Sequence, residues 1–348
     1  MNIKNIEEES KNILKIIKKI KATKFNYYFI INEIVLINLK MENILFDKKN
    51  KKGNPTRISL QLLKNFKKNV LELVDLKNHD KNILLNKNNF IRETDHKILF
   101  QNLWQNFSFE NFKSDRIQRY IKRIKVNKIE NIIKDKNIVD FGCGHGNFLM
   151  SCYNFNPKFC LGIDYGADSI KFANKMSNKL GLSKNKIKFK KCSVYKTGIK
   201  SDSFDFAIQN GVFHHLDDEK KAYTEAHRVL KKDGFFWVYT DGGGGVRDII
   251  YDMCQKILRK IDKNFVVNHI RSCGLNNSKE YHLGDNMNAE YRHTTYKELV
   301  YFLKNIGFKN FRQLNGGFST DFDKPFSKDK YFDEKFGSGD LRILCQKS

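Results

Sequence analysis

Apolar and polar positions follow two different rhythms along this chain. Over residues 1–136 the apolar positions recur at helical spacing, as in Ile13, Ile16, Ile17 and Ile20, and glycine is scarce. Gly53 and Pro55 mark a break in this stretch. Across 117–134 the positions Ile117, Tyr120, Ile121 and Ile124 fall on one helical face, leading into the first strand. No internal repeat at solenoid periods is present.

Beyond residue 136 short apolar runs alternate with helical stretches. The runs 138–141, 159–164, 187–194, 204–209 and 234–240 read as strands, with helices at 167–180 and 219–230 between them. This alternation predicts an α/β fold built on a doubly wound sheet. Sheets of this class bind ligands beyond the carboxyl ends of their strands, so the residues that end each run are the candidates for chemistry.

Two of those ends are distinctive. Asp140-Phe141-Gly142-Cys143-Gly144-His145-Gly146-Asn147-Phe148 places glycines at alternate positions directly after a strand. Glycine admits unusual backbone angles and leaves no Cβ in the way of a ligand. Asn147 follows Gly146, so the spacing is wrong for a dinucleotide turn, and the Gly-Lys-Ser/Thr of a phosphate loop is missing. Asp164 ends the second run, where an acid either accepts hydrogen bonds from ribose hydroxyls or caps the helix that follows.

At this point the sequence resembles the class I S-adenosylmethionine-dependent methyltransferases. The resemblance is carried by 139–146, by Gly162-Ile163-Asp164, by Ser203-Phe204-Asp205, by Phe213-His214-His215-Leu216, and by His227-Arg228-Val229-Leu230-Lys231-Lys232-Asp233-Gly234, in the family's order over about 110 residues. It implies a Rossmann-like seven-stranded methyltransferase sheet, to which 309–314 and 341–345 contribute the last two strands. The resemblance further implies S-adenosylmethionine as cofactor. Gly142, Gly144 and Gly146 would lie against its methionine and ribose portions, and Asp140 would hold that loop or receive the methionine amine. Asp164 would bind the ribose hydroxyls with Tyr165 beside the adenine. Ser193 and Val194 stand where many relatives have an acid and a small residue at the adenine amine, and backbone atoms around Gln209 and Asn210 would complete the methionine pocket.

The same comparison removes several subclasses. Strand four ends in Gln209-Asn210-Gly211-Val212 and not in Asn/Asp-Pro-Pro-Tyr/Phe, no cysteine follows a proline, and Asp241 is followed by Gly242 and not by Asn. Methyl transfer from a sulfonium is an in-line displacement in which alignment lowers much of the barrier. For a hydroxyl or ammonium acceptor a base near neutral pKa helps. His214 is the candidate catalytic residue, with His215 pointing the other way as a structural residue. The glycine run 242–245 reads as a lid hinge, a substrate loop or a simple turn. Residues 246–294 read as a cap insertion carrying Tyr251, Arg259, His269, Arg271, His282, Arg292 and His293. Its histidines lack close metal-ligand spacing, so no metal site is expected. The expected domains are a helical extension at 1–112 and a methyltransferase domain at 113–348.

Composition changes this picture little. The net charge is +25, with 64 basic and 39 acidic residues, but only 12 of the basic residues are arginine and the excess is spread over the whole chain. Nucleic acid is therefore not the expected partner. The leading expectation is transfer to a small-molecule acceptor, with the basic first segment covering the acceptor site or making a homodimer contact. Two alternatives stay open: an RNA or protein methyltransferase that docks its substrate on that segment, and a cofactor-binding module that scaffolds a partner. Seven cysteines without a Cys-x-x-Cys pair indicate neither a disulfide framework nor a zinc ribbon. An acidic start and an interrupted apolar stretch at 25–39 give neither a signal peptide nor a membrane span, so a cytoplasmic protein is expected.

Overall fold

The computed structural model describes residues 2–47, 49, 51, 53–74, 109–262, 265–266, 269–270, 292–318 and 321–348. In chain order the helices α1 (Ile3–Ile17), α2 (Lys24–Leu45) and α3 (Pro55–Val74) come first. A π turn (Phe112–Ile117) then runs into α4 (Gln118–Val126), followed by α5 (Glu130–Ile133) and β1 (Asn137–Phe141). Next come α6 (Asn147–Tyr153), β2 (Phe159–Asp164), α7 (Ala167–Lys179), β3 (Ile187–Lys191) and β4 (Phe204–Asn210). The remainder comprises a 3₁₀ turn (Phe213–His215), α8 (Glu219–Val229), β5 (Leu230–Asp241) and α9 (Val246–Leu258). It closes with α10 (Tyr296–Ile306), β6 (Phe308–Gln313), α11 (Phe332–Phe336) and β7 (Asp340–Lys347).

The chain divides into two compact units. One comprises residues 1–92, 243–290 and 327–339, and the other 93–242, 291–326 and 340–348. The helices of the N-terminal segment thus share a unit with most of the segment expected as a cap. Arg271 and His282 of that segment lie outside the described residues.

In the first unit α1 packs against α3 and α9. Asn2 and Thr23 cap α1 and α2 by accepting from the Lys4 and Asn26 N–H groups. Pro55 opens α3, where its missing N–H costs no hydrogen bond. Part of the glycine run is explained here. A Cβ on Gly245 would meet the Lys335 carbonyl at 2.4 Å, and one on Gly337 would meet the Gly243 oxygen at 2.2 Å. Residues 243–245 therefore serve a close backbone crossing with 335–337, which the Ser338 N–H donating to the Gly243 carbonyl at 3.0 Å ties down.

The second unit holds a seven-stranded sheet of order β3-β2-β1-β4-β5-β7-β6, parallel except for β7, which is antiparallel to both β5 and β6. Helices cover both faces, so successive residues of a central strand enter opposite cores. Val139, Phe141, Ala207 and Phe236 pack with Phe213, Tyr223 and Leu303 on one face. Ile138, Phe206, Ile208 and Trp237 pack with Ile124, Phe148 and Ala173 on the other. This double burial is why the strands read as continuous apolar runs. No helix among the described residues is long and apolar enough to cross a membrane.

Candidate functional site

A cavity of about 240 Å³ opens in the second unit at the carboxyl ends of the central strands. The turn after β1 supplies Gly142, Cys143, Gly144, His145 and Asn147 to its wall, the end of β2 supplies Asp164 and Gly166, α7 supplies Ser169, and the end of β4 supplies Asn210, Gly211 and Val212. Arg116, Arg119 and Tyr120 complete the lining.

The three glycines of the turn have different reasons to be glycine. All have positive φ, at 69°, 52° and 76° for Gly142, Gly144 and Gly146. A Cβ on Gly142 would meet Val212 Cγ1 at 2.7 Å, and one on Gly146 would meet Phe189 Cε1 at 2.5 Å. On Gly144 it would meet no atom within 4 Å, on a residue that lines the cavity. Gly144 therefore leaves room for a ligand, whereas Gly142 and Gly146 also leave room for side chains of this chain. The Ile163 carbonyl pins the turn by accepting the Gly142 and Cys143 N–H groups at 2.8 and 2.9 Å.

Asp164 is held from two sides. Its Oδ2 accepts the Gly144 N–H at 2.9 Å and its Oδ1 accepts the Gly166 N–H at 2.7 Å. Gly166 is the residue that precedes α7 as its N-cap, so Asp164 itself is not the cap. A carboxylate oxygen can accept more than one hydrogen bond, so these tethers do not by themselves exclude a ligand hydroxyl. Asp140 lies buried at the end of β1, and burial together with the nearby Asp164 carboxylate pushes its carboxyl up to about 8. It is not among the residues lining the cavity.

Five further expected cofactor contacts, Gly146, Tyr165, Ser193, Val194 and Gln209, also fall outside that lining. Tyr165 is half exposed, with the Lys191 ammonium 5.9 Å from its ring centroid. The strand β3 stops at Lys191, so Ser193 and Val194 follow it in a loop; Ser193 Oγ accepts the Tyr195 N–H, and Val194 joins the core. Gln209 is fully buried and shapes the next turn. Its Oε1 accepts from the Val212 and Phe213 N–H groups at 3.0 and 3.3 Å, while its Nε2 donates to the Tyr239 carbonyl at 2.9 Å. Asn210 does reach the cavity, held by the Trp237 indole N–H at 3.2 Å and by its own donation to the Tyr120 hydroxyl at 3.0 Å.

His214 does not line this cavity either. The expectation that His214 and His215 point in opposite directions assumed an extended loop. The chain instead forms a 3₁₀ turn at Phe213–His215, which brings the two imidazoles to a centroid distance of 3.9 Å. His214 is buried and His215 half-buried, and the Arg292 N–H donates to the His214 carbonyl at 3.4 Å. Asp218 caps α8 by accepting the Lys221 N–H at 3.0 Å.

Sequence reasoning missed Arg116, Arg119, His145, Asn147 and Ser169, and it placed Tyr120 on a helix face without giving it a role. The π turn before α4 is what defeats the spacing, because one extra residue per turn rotates the face that follows. Ser151 Oγ donates to the Ile117 carbonyl at 3.0 Å where the π turn ends, and Tyr120 stacks on Phe148 at 4.6 Å. His145 lies against Phe172, and burial, then the Arg116 charge, push its imidazole down to about 4. Burial also lowers the Arg116 guanidinium from its ordinary value.

An open sheet with this strand order, a glycine turn after β1 and a tethered acid after β2 is the architecture of nucleoside-binding α/β domains. Residues 132–283 match a family model described as a methyltransferase domain. The chain is similar to an uncharacterized methyltransferase, YcgJ, of Bacillus subtilis, at 28% identity over 29% of this chain and 39% of the relative. It is also similar to the human EEF1A lysine methyltransferase 2, at 28% identity over 36% of this chain and 55% of the relative. A tRNA U34 carboxymethyltransferase of Campylobacter jejuni matches at 28% identity over 35% of this chain and 41% of the relative. The chain thus spans between 39% and 55% of the length of these relatives. Residues 132–283 thus carry a methyltransferase domain.

Proposed function

We propose that this chain transfers a methyl group from S-adenosylmethionine to a small-molecule acceptor by in-line displacement. The observation that carries the cofactor half is the Asp164 carboxylate, fixed by the Gly144 and Gly166 N–H groups in a cavity where Gly144 leaves a Cβ-sized space. The residues present fit the cofactor's polar groups. Asp164 holds the ribose hydroxyls, and the 142–144 turn and Asn210 flank the amino-acid portion. When bound, the cofactor supplies an electrophilic methyl group on a good neutral leaving group. This chain's contribution is then to fix that group against an acceptor and to exclude water, by which alignment lowers the barrier.

The small-molecule half is supported by the charge pattern: the basic excess is mostly lysine and is spread along the chain. It is tested by incubating the protein with methyl-labelled cofactor and three substrate pools: a low-mass metabolite extract, total tRNA and denatured proteins. Label in the low-mass fraction supports the proposal. Label confined to tRNA or protein overturns the small-molecule half and leaves the methyl transfer.

A further inference from the structure

We propose that Arg116 and Arg119 are the carboxylate-binding pair of the cofactor site, so that the segment before β1 completes a site whose other walls come from the sheet. The inference rests on the cofactor reading above and adds to it two residues that lie upstream of the region matched by the family.

Charge selects the ligand group. The fixed charges on the cavity wall are Asp164, Arg116 and Arg119; His145 also lines it but is neutral near pH 7. Asp164 stands at the end of β2 with both oxygens tethered to backbone N–H groups, the arrangement that serves ribose hydroxyls. The two guanidiniums are then the cationic partners on that wall for the negative group of an amino-acid moiety. Guanidinium is planar and matches a carboxylate through two parallel N–H bonds.

Position agrees with charge. Arg116, in the π turn, and Arg119, in α4, both reach the wall of the cavity. Helix α4 is locked by the Tyr120 hydroxyl accepting from Asn210 and by Arg123, which pairs with Asp321 at 2.7 Å and donates to the Gly316 carbonyl at 2.9 Å. Phe318 backs the Arg119 guanidinium at 4.6 Å from its ring centroid. Arg119 Nε is buried with no hydrogen-bond partner among the described residues, a donor that a carboxylate in the cavity would satisfy.

The test is calorimetric titration of S-adenosylhomocysteine and of its decarboxylated analogue into the wild-type chain and into an Arg116→Gln, Arg119→Gln double variant. The wild type should favour the carboxylate-bearing ligand by at least about tenfold, the scale of a charge-assisted bond. In the double variant this preference should collapse while the analogue binds within about twofold of its wild-type affinity, which also reports an intact fold. A preference that survives in the variant, or no preference in the wild type, overturns the assignment and leaves the cofactor reading standing. Binding of neither ligand by the wild type overturns the cofactor reading itself. The wild-type comparison needs no substitution, so absence of a preference overturns the assignment even if the double variant does not fold.

Discussion

The Tyr120 hydroxyl accepts a hydrogen bond from the Asn210 carboxamide at 3.0 Å, joining α4 to the end of β4 across the cavity wall. The Trp237 indole holds the other end of the same carboxamide, so Asn210 is fixed between two aromatic side chains from separate elements. Tyr120→Phe deletes this bond alone and should lower stability by ~1 kcal/mol, read as a shift of the urea unfolding midpoint. An unchanged midpoint would mean that the bond does not hold the helix in place.

Gly144 and Gly146 make opposite predictions from one turn. Gly146→Ala forces a methyl against the Phe189 ring and should cost ~2 to 4 kcal/mol of stability, from overpacking plus left-handed strain. Gly144→Ala meets no neighbour, so only the strain of roughly 1 to 2 kcal/mol applies, while S-adenosylhomocysteine binding should suffer from the methyl in the cavity. Unfolding and binding measured on both variants check the contrast. Equal stability losses would contradict it.

Asp140 sets a dependence on pH. Its carboxyl is raised from 3.8 to about 8, so between those values the folded chain keeps a proton that the unfolded chain has released. Stability therefore falls as pH rises through this window and levels off above it. Asp140→Asn, uncharged and of similar shape, removes this contribution. The stability of the wild type relative to the variant should decrease between about pH 5 and about pH 8. Parallel pH profiles would show that Asp140 ionises as freely in the fold as in the unfolded chain.

His214 lies in the 3₁₀ turn beside His215 and outside the cavity lining. With alignment carrying the reaction, His214→Ala should reduce turnover by far less than the ~100-fold or more that loss of a general base costs, with S-adenosylhomocysteine affinity unchanged. A drop of that size with intact cofactor binding would restore the base role.

The sheet was legible because each parallel strand is buried on both faces and so reads as an apolar run ended by polar or glycine residues. The ligand-binding end was legible for the same reason, since Gly144, Asp164 and Asn210 terminate three of those runs. What could not be read is what depends on three-dimensional return. Arg116 and Arg119 reach the cavity through a π turn whose extra residue has no signature in apolar spacing. Nor does the pattern show that the backbone approached at Gly245 belongs to Lys335 of this chain, ninety positions away. At Gln209 the resemblance implies contacts from the backbone, and the strand pattern does not show that its carboxamide is taken up by the turn that it folds.

The most direct test of the account is calorimetric titration of S-adenosylhomocysteine into the wild type and Asp164→Ala. The substitution deletes the ribose acceptor and releases the Gly144 and Gly166 N–H groups, which should cost ~2 to 3 kcal/mol, or roughly 30- to 150-fold in affinity. Saturable binding by the wild type that weakens to this degree in the variant is the predicted result; wild-type affinity in Asp164→Ala, or a wild-type chain that does not bind the ligand, would contradict it.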